Sequence, residues 1–133
     1  MAIFKDGAPA ATWEFYDTNA GNILAAAAFD TNIGSHCAST GIFTVPAGHA
    51  GMYWMGMTAM AGAAGSSTTQ VYVRKNGTLI STGMKTYTTG TLYDRLVIFG
   101  VIALSAGDTI DFYNQGPKQL HQSYGTCNVY MMY

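Results

Sequence analysis

The sequence predicts an all-β protein, an antiparallel β-sandwich of the jelly-roll type, from its turn residues, its strand-forming residues and its periodicity. The 133 residues include 16 glycines and nine tyrosines, and the length fits one domain. Short runs rich in β-branched and aromatic residues alternate with turns rich in glycine, asparagine and serine. No helical pattern separates the strands, so an antiparallel sandwich is favoured over a parallel sheet.

The strongest local signal is the pair Asn76-Gly77, which lies between the strand-like runs TTQVYVR and TLIST. This pair supplies the two positive φ angles of a type I′ hairpin. The alanine-rich stretch Asn22–Thr31 has apolar spacing for only one helical turn, so it too is predicted as a strand. The other predicted strands are Gly41–Val45, Met52–Met60, Leu96–Leu104, Thr109–Gly116 and Ser123–Tyr133.

Several strands are apolar on both faces. Leu96–Leu104 places leucine and isoleucine on one face and Val97, Phe99, Val101 and Ala103 on the other. A sandwich core covers only one face of a strand, so the second face predicts a subunit interface. Met52–Met60 and the end of the chain repeat the pattern. The predicted interface residues are Tyr53, Met55, Met57, Val97, Phe99, Val101, Tyr130 and Met132.

The chain carries little charge. Charged residues make up 10% of it, against about 25% in an ordinary soluble domain. The net charge of -1 gives no basic surface for nucleic acid or for an anionic membrane. No stretch reaches the roughly 18–20 apolar residues of a membrane span, and no targeting signal is recognisable. Because so little charge leaves a monomer poorly solvated, we expect an obligate oligomer.

No motif predicts catalysis, a metal or a cofactor. The spacing of Cys37 and Cys127 fits neither a metal site nor a redox motif. Free buried thiols are expected for a chain made in a reducing cytosol, and a disulfide between them is the alternative. A zinc site of His36, Cys37, His49 and His121 would need unusual ligand spacings. Asp108 and Asp111 are expected to point to opposite faces, which excludes a joint acid–base role. The sequence therefore predicts a protein that is not an enzyme.

Six short motifs in order resemble the C1q/tumour-necrosis-factor-like jelly-roll family. They are Phe29-Asp30, Gly41-Ile42-Phe43-Thr44-Val45-Pro46, Gly51-Met52-Tyr53, Lys75-Asn76-Gly77, Leu104-Ser105-Ala106-Gly107-Asp108 and Tyr130-Met131-Met132-Tyr133. The turn from Pro46 to Gly51 is two residues longer than the family pattern. The resemblance covers residues 22–133 and implies a compact homotrimer that associates through apolar strand faces. It leaves residues 1–21 as an N-terminal arm.

Two classes of function follow as expectations. The first is a trimeric decoration or cement protein of a phage virion, bound to the major capsid protein, with Phe4, Trp13, Phe15 and Tyr16 of the arm packing on a neighbour. The alternative is a recognition module: a receptor- or carbohydrate-binding tail-fibre head, or a C1q-like module. Tyr87, Tyr93, Tyr113 and Tyr124 are candidates for stacking on a glycan, or else anchors of an interface.

Overall fold

Eleven strands make up the regular structure, and no helix occurs in the part of the chain that the structure describes. A computed structural model describes residues 7–62, 69–80, 85–88 and 95–132, with the backbone alone for 85–88 and 122–124. The strands are β1 (Ala10–Phe15), β2 (Asn22–Ile23), β3 (Ala26–Ile33), β4 (Phe43–Thr44), β5 (Gly51–Ala61), β6 (Thr69–Lys75), β7 (Thr78–Leu79), β8 (Lys85–Thr88), β9 (Arg95–Leu104), β10 (Thr109–Gly116) and β11 (Leu120–Met131).

The strands form two sheets that pack face to face. The front sheet has the order β3-β1-β11-β5-β9, and the back sheet has the order β2-β10-β6-β7, with β4 paired to β10 and β8 paired to β6. All of these pairs are antiparallel. The first and last strands are neighbours, with Ala11 opposite Val129. The predicted jelly-roll sandwich is confirmed, and the alanine-rich stretch is a strand from Ala26 onward.

Aromatic side chains from the two sheets meet in the core. Trp13 of the front sheet and Phe112 of the back sheet are both fully buried, and their rings pack edge to face with centroids 5.9 Å apart. The indole N–H of Trp13 donates to the carbonyl oxygen of Leu24 at 3.1 Å, so its polar atom is satisfied. This contact ties β1 to the back-sheet side of the sandwich.

The N-terminal arm expected from the sequence contains a core strand. Residues Ala10–Phe15 form β1, which lies between β3 and β11 inside the front sheet. Trp13 and Phe15 are fully buried in the core, so the expectation that they contact a neighbouring protein is wrong. Their two-residue spacing aims both side chains inward. Tyr16 is 55% exposed, and Phe4 lies outside the described residues.

The hairpin between β6 and β7 has the predicted geometry. Asn76 and Gly77 have φ angles of 53° and 77°, as a type I′ turn requires. The Asn76 side chain also binds the turn that precedes β10. Its Nδ2 donates to Asp108 Oδ1 at 2.9 Å, and its Oδ1 accepts from the backbone N–H of Thr109 at 2.9 Å. Hydrogen bonds therefore connect the Lys75-Asn76-Gly77 motif to the motif that ends at Asp108.

The Asp108 carboxylate should make stability depend on acid pH. Hydrogen bonds from Asn76 and from the backbone N–H of Ser105 lower the pKa of Asp108, with the Lys75 ammonium adding to the effect. A carboxylate whose pKa is lowered by folding stabilises the protein at pH values above its ordinary pKa, which is 3.8 for Asp108. That contribution is lost as the pH falls through the lowered pKa of the folded state. Asp108→Asn should therefore weaken the acid dependence of the unfolding free energy, measured by urea denaturation between about pH 6 and pH 2.

The control is Asp30→Asn, which removes an exposed carboxylate from β3. This variant should keep the acid dependence of the wild-type protein. An equal flattening in both variants would show that the turn network does not cause the effect.

A buried amide joins three segments at the other end of the sandwich. Asn114 of β10 is fully buried, and its Nδ2 donates to the carbonyl oxygens of Thr18 and Lys118, each at 2.9 Å. Its Oδ1 accepts from the N–H of Gly116 at 2.9 Å. Thr18 is itself bridged to Leu120 at the start of β11. The amide thus satisfies backbone groups that water does not reach.

Asn114→Ala should destabilise the protein by roughly 2–4 kcal/mol, because it leaves several buried backbone groups without a partner. Chemical denaturation followed by circular dichroism measures this loss. The matched control is Asn22→Ala, since Asn22 is exposed and its amide donates to local carbonyls at 3.2 and 3.3 Å. Similar losses in the two variants would contradict the role given to Asn114.

Candidate interaction surface

The exposed apolar surface lies on the side of the front sheet that faces away from the core. We call this side the outer face. On β9 the side chains alternate: Leu96 and Ile98 point into the core, whereas Val97, Phe99 and Val101 are 53%, 68% and 47% exposed. Strand β9 is also the edge of the front sheet and is ten residues long. The two-faced character predicted for this strand is confirmed.

The two faces of β5 are reversed relative to the prediction. Tyr53, Met55 and Met57 were expected at a subunit interface, but they are 0%, 0% and 1% exposed and belong to the core. The outer face of β5 instead carries its alternate residues, among them Trp54 and Gly56. Tyr53 fits the core because its hydroxyl donates to the carbonyl of His49 at 2.8 Å, within the lengthened turn.

The strand register places the outer-face residues in rows. Gly56 of β5 lies directly between Asn128 of β11 and Phe99 of β9. In the next row, Trp54 lies between Tyr130 and Val101, and the rings of Trp54 and Tyr130 have centroids 6.1 Å apart. The central outer-face residues carry no formal charge; they are Thr12, Trp54, Gly56, Thr58, Val97, Phe99, Val101, Asn128 and Tyr130.

Tyr130 and Met132 differ in their setting. Tyr130 is half-buried, and its hydroxyl is hydrogen-bonded to the hydroxyl of Thr12 on β1. The Thr12 hydroxyl also lies 3.0 Å from Asn128 Oδ1, to which it donates. Met132 is half-buried just after β11, where its N–H donates to the carbonyl of Met52 at 2.7 Å. Tyr130 therefore belongs to the outer face, and its place in a subunit interface stays a prediction.

A shallow depression of about 150 Å³ opens on the outer face. Its lining is mostly apolar and comes from β5, β9 and β11, with Trp54, Gly56, Thr58, Val97, Phe99 and Asn128 on the open side. Because Gly56 has no side chain, the Trp54 ring can lie over it and border the depression: a Cβ atom at Gly56 would lie 2.9 Å from Cη2 of Trp54. A glycine in the middle of a strand often marks a place where another group approaches closely.

The back sheet offers a smaller candidate surface. Tyr72 and Tyr113 lie opposite each other on β6 and β10, and the Arg74 guanidinium lies 4.1 Å from the centroid of the Tyr113 ring. Arg74 is held by Asp111 through hydrogen bonds of 2.7 and 3.1 Å. One face of Tyr113, a predicted glycan platform, is thus already occupied. The side chains of Tyr87 and Tyr124, and the whole of Tyr93, lie outside the described residues.

The candidate metal-binding and acid–base residues do not form a shared site in the described part of the chain. Within the described ranges, no three His, Cys, Asp or Glu side chains form a group that could hold a metal ion. Asp111 is engaged by Arg74, and Asp108 is engaged by the turn network. Cys37 and Cys127 are buried free thiols, as predicted. No described helix has the length and apolar character needed to cross a membrane.

Both thiols should be inert in the native protein. Burial raises the pKa of Cys37 to about 12, and burial together with the nearby Cys37 raises the pKa of Cys127 well above its ordinary value. Because the thiolate is the reactive form, Ellman's reagent at about pH 8 should modify neither cysteine until the chain is unfolded. Both thiols should react once guanidinium has unfolded the chain. Rapid reaction of either one in the folded protein would contradict this placement.

Several solved structures are similar to this chain over nearly its whole length. The globular domain of a zebrafish complement 1qA protein has a TM-score of 0.72 at 15% identity, covering 94% of this chain and 98% of that one. Eiger TNF from S. frugiperda has a TM-score of 0.69 at 11% identity, with 94% of each chain covered. Murine APRIL has a TM-score of 0.68 at 14% identity, covering 92% of this chain and 98% of that one.

No protein-family model and no curated protein sequence matches the chain. The structural likenesses establish the fold, which is a C1q/TNF-like jelly roll. None of these three structures is described as a virion protein. The phage origin and the capsid-decoration role that the sequence led us to expect find no support in them.

Proposed function

We propose that this protein is a non-enzymatic recognition module that assembles as a homotrimer through the outer face of its front sheet. The observation that carries the proposal is the exposed stripe of Val97, Phe99 and Val101 on a face whose central residues are uncharged. Contiguous apolar patches of this kind mark interaction sites on soluble proteins. The low charge of the whole chain, 10% of residues, points the same way.

The energetics favour a broad contact over a single anchor. Fully burying one large apolar side chain is worth about 1.5–3 kcal/mol. Association costs an estimated 4–15 kcal/mol in lost translational and rotational freedom, so Phe99 alone does not hold two chains together. The stripe on β9, with Trp54 and Tyr130 beside it, supplies several anchors for each copy. The free energy gained by burying several such side chains can exceed the cost of association.

A threefold assembly agrees with the resemblance to the C1q/TNF-like family, which implies a homotrimer. In such an assembly the front sheets turn toward the symmetry axis and the back sheets remain outside. The back-sheet surface around Tyr72, Arg74 and Tyr113 and the loops at the two ends of the sandwich would then be free to meet a partner. Recognition through three identical surfaces gains avidity without new contacts.

Val101→Lys should convert the assembly to monomers, because it places a charge in the middle of the buried face. Sedimentation equilibrium measures the mass, and tryptophan emission gives a second readout. Trp13 is fully buried within the single folded chain, so a red shift on dilution reports the exposure of Trp54. The wild-type protein should show the mass of three chains and lose its blue-shifted emission only at low concentration.

The matched control is Leu79→Lys, which changes a 36% exposed residue on the back sheet. This variant should keep the wild-type mass. A wild-type protein that is monomeric at every concentration would overturn the proposal. Dissociation by Leu79→Lys alone would move the interface to the other sheet.

A further inference from the structure

We infer that the phenyl ring of Phe99 from a neighbouring copy seats in the depression over Gly56. The inference rests on the proposed self-association and names the contact at its centre. Its occupant is a second copy of this chain, because the depression lies within the uncharged face that the proposal buries, and Phe99 is the most exposed of the large apolar residues described.

The depression is a built feature of three strands. Asn128, Gly56 and Phe99 are aligned in one row across β11, β5 and β9, and only the middle residue lacks a side chain. Trp54 leans over that gap, with its Cη2 atom 2.9 Å from the position that a Cβ of Gly56 would take. Even an alanine at position 56 would therefore displace the indole ring that borders the depression and change the shape of the depression.

The size and chemistry of the depression suit a phenyl ring. An apolar cavity of about 150 Å³ is large enough to hold benzene, and the depression has a volume of about 150 Å³. The Trp54 ring offers an aromatic partner, which is favourable at ring separations of about 4.5–7 Å. Val97 and Val101, the other large apolar residues exposed on β9, are smaller and lack the ring that Trp54 would contact.

The position of Phe99 fixes how the copies are related. Phe99 forms part of the rim of the depression on its own chain. Each chain therefore carries the ring that it inserts and the site that receives a ring side by side. Two copies can exchange such contacts only if the symmetry axis passes close to this point. In a cyclic trimer each chain then gives one ring and receives one, and the set of contacts closes.

A double-mutant cycle tests the contact. Phe99→Ala removes the ring, and Gly56→Ala reshapes the site by displacing the Trp54 ring. Each single change should raise the protein concentration at the monomer–trimer midpoint by about tenfold or more, as expected for loss of a central anchor. If the ring occupies the site, Gly56→Ala should add less than about threefold once Phe99 is alanine, because interacting residues are not additive.

The matched control is Val101→Ala, which removes apolar surface from the same strand and face but does not line the depression. The effects of Val101→Ala and Gly56→Ala on the midpoint concentration should multiply in the double variant. Thermal melting of each variant verifies that it is folded. Multiplicative effects of Phe99→Ala and Gly56→Ala would overturn the inference.

Chemical rescue decides the matter if Gly56→Ala fails to fold. Toluene, close to its aqueous solubility, should return the Phe99→Ala midpoint toward the wild-type value by filling the vacated site. It should not rescue Val101→Ala. Equal rescue of both variants, or rescue of neither, would overturn the inference.

The two proposals fail in different ways. A wild-type protein that never associates defeats both of them. A wild-type trimer that Val101→Lys dissociates, but in which Phe99→Ala and Gly56→Ala act independently, defeats only the contact between Phe99 and the depression.

Discussion

The pleat of the β-strand is the constraint on which the rest of this structure depends. Successive side chains point to opposite sides, so a sandwich core can cover only half of each strand. In β9 both halves are apolar: Leu96 and Ile98 fill the core, and Val97 and Phe99 remain outside it. The exposed apolar face is therefore a direct consequence of composition. It needs no distortion of the fold, and it separates the residues that stabilise one chain from those available to join several.

The sequence was sufficient where a pattern had one physical solution. The Asn76-Gly77 pair could form only a tight hairpin, and the alternation in β9 could place Phe99 only on the face opposite Leu96. It was insufficient for β5, where both faces are equally apolar. The buried Tyr53 hydroxyl has an acceptor, the His49 carbonyl in a turn of unusual length, and the strand pattern alone does not reveal that acceptor.

Two other features were beyond local reasoning. Trp13 and Phe15 have the spacing of core residues, but the same spacing suits a segment that binds a neighbour; only the pairing of β1 with β11 distinguishes the two. The depression over Gly56 depends on three strands whose residues lie far apart in sequence. No window of the sequence contains Gly56 together with Phe99 and Asn128, so the depression could not be predicted before the register was known.

The position of β9 at the edge of the front sheet has a consequence for how the protein is produced. Among the described strands, none pairs with the outer edge of these ten residues, and Phe99 projects beside that edge. Natural sheets usually protect such edges with charge, proline or a bulge; β9 carries only Arg95 at its start. A newly made chain therefore exposes an edge at which strand-to-strand aggregation competes with the self-association proposed above. On that proposal, soluble yield should depend on how quickly copies of the chain associate, and slow, cool expression should favour the ordered product.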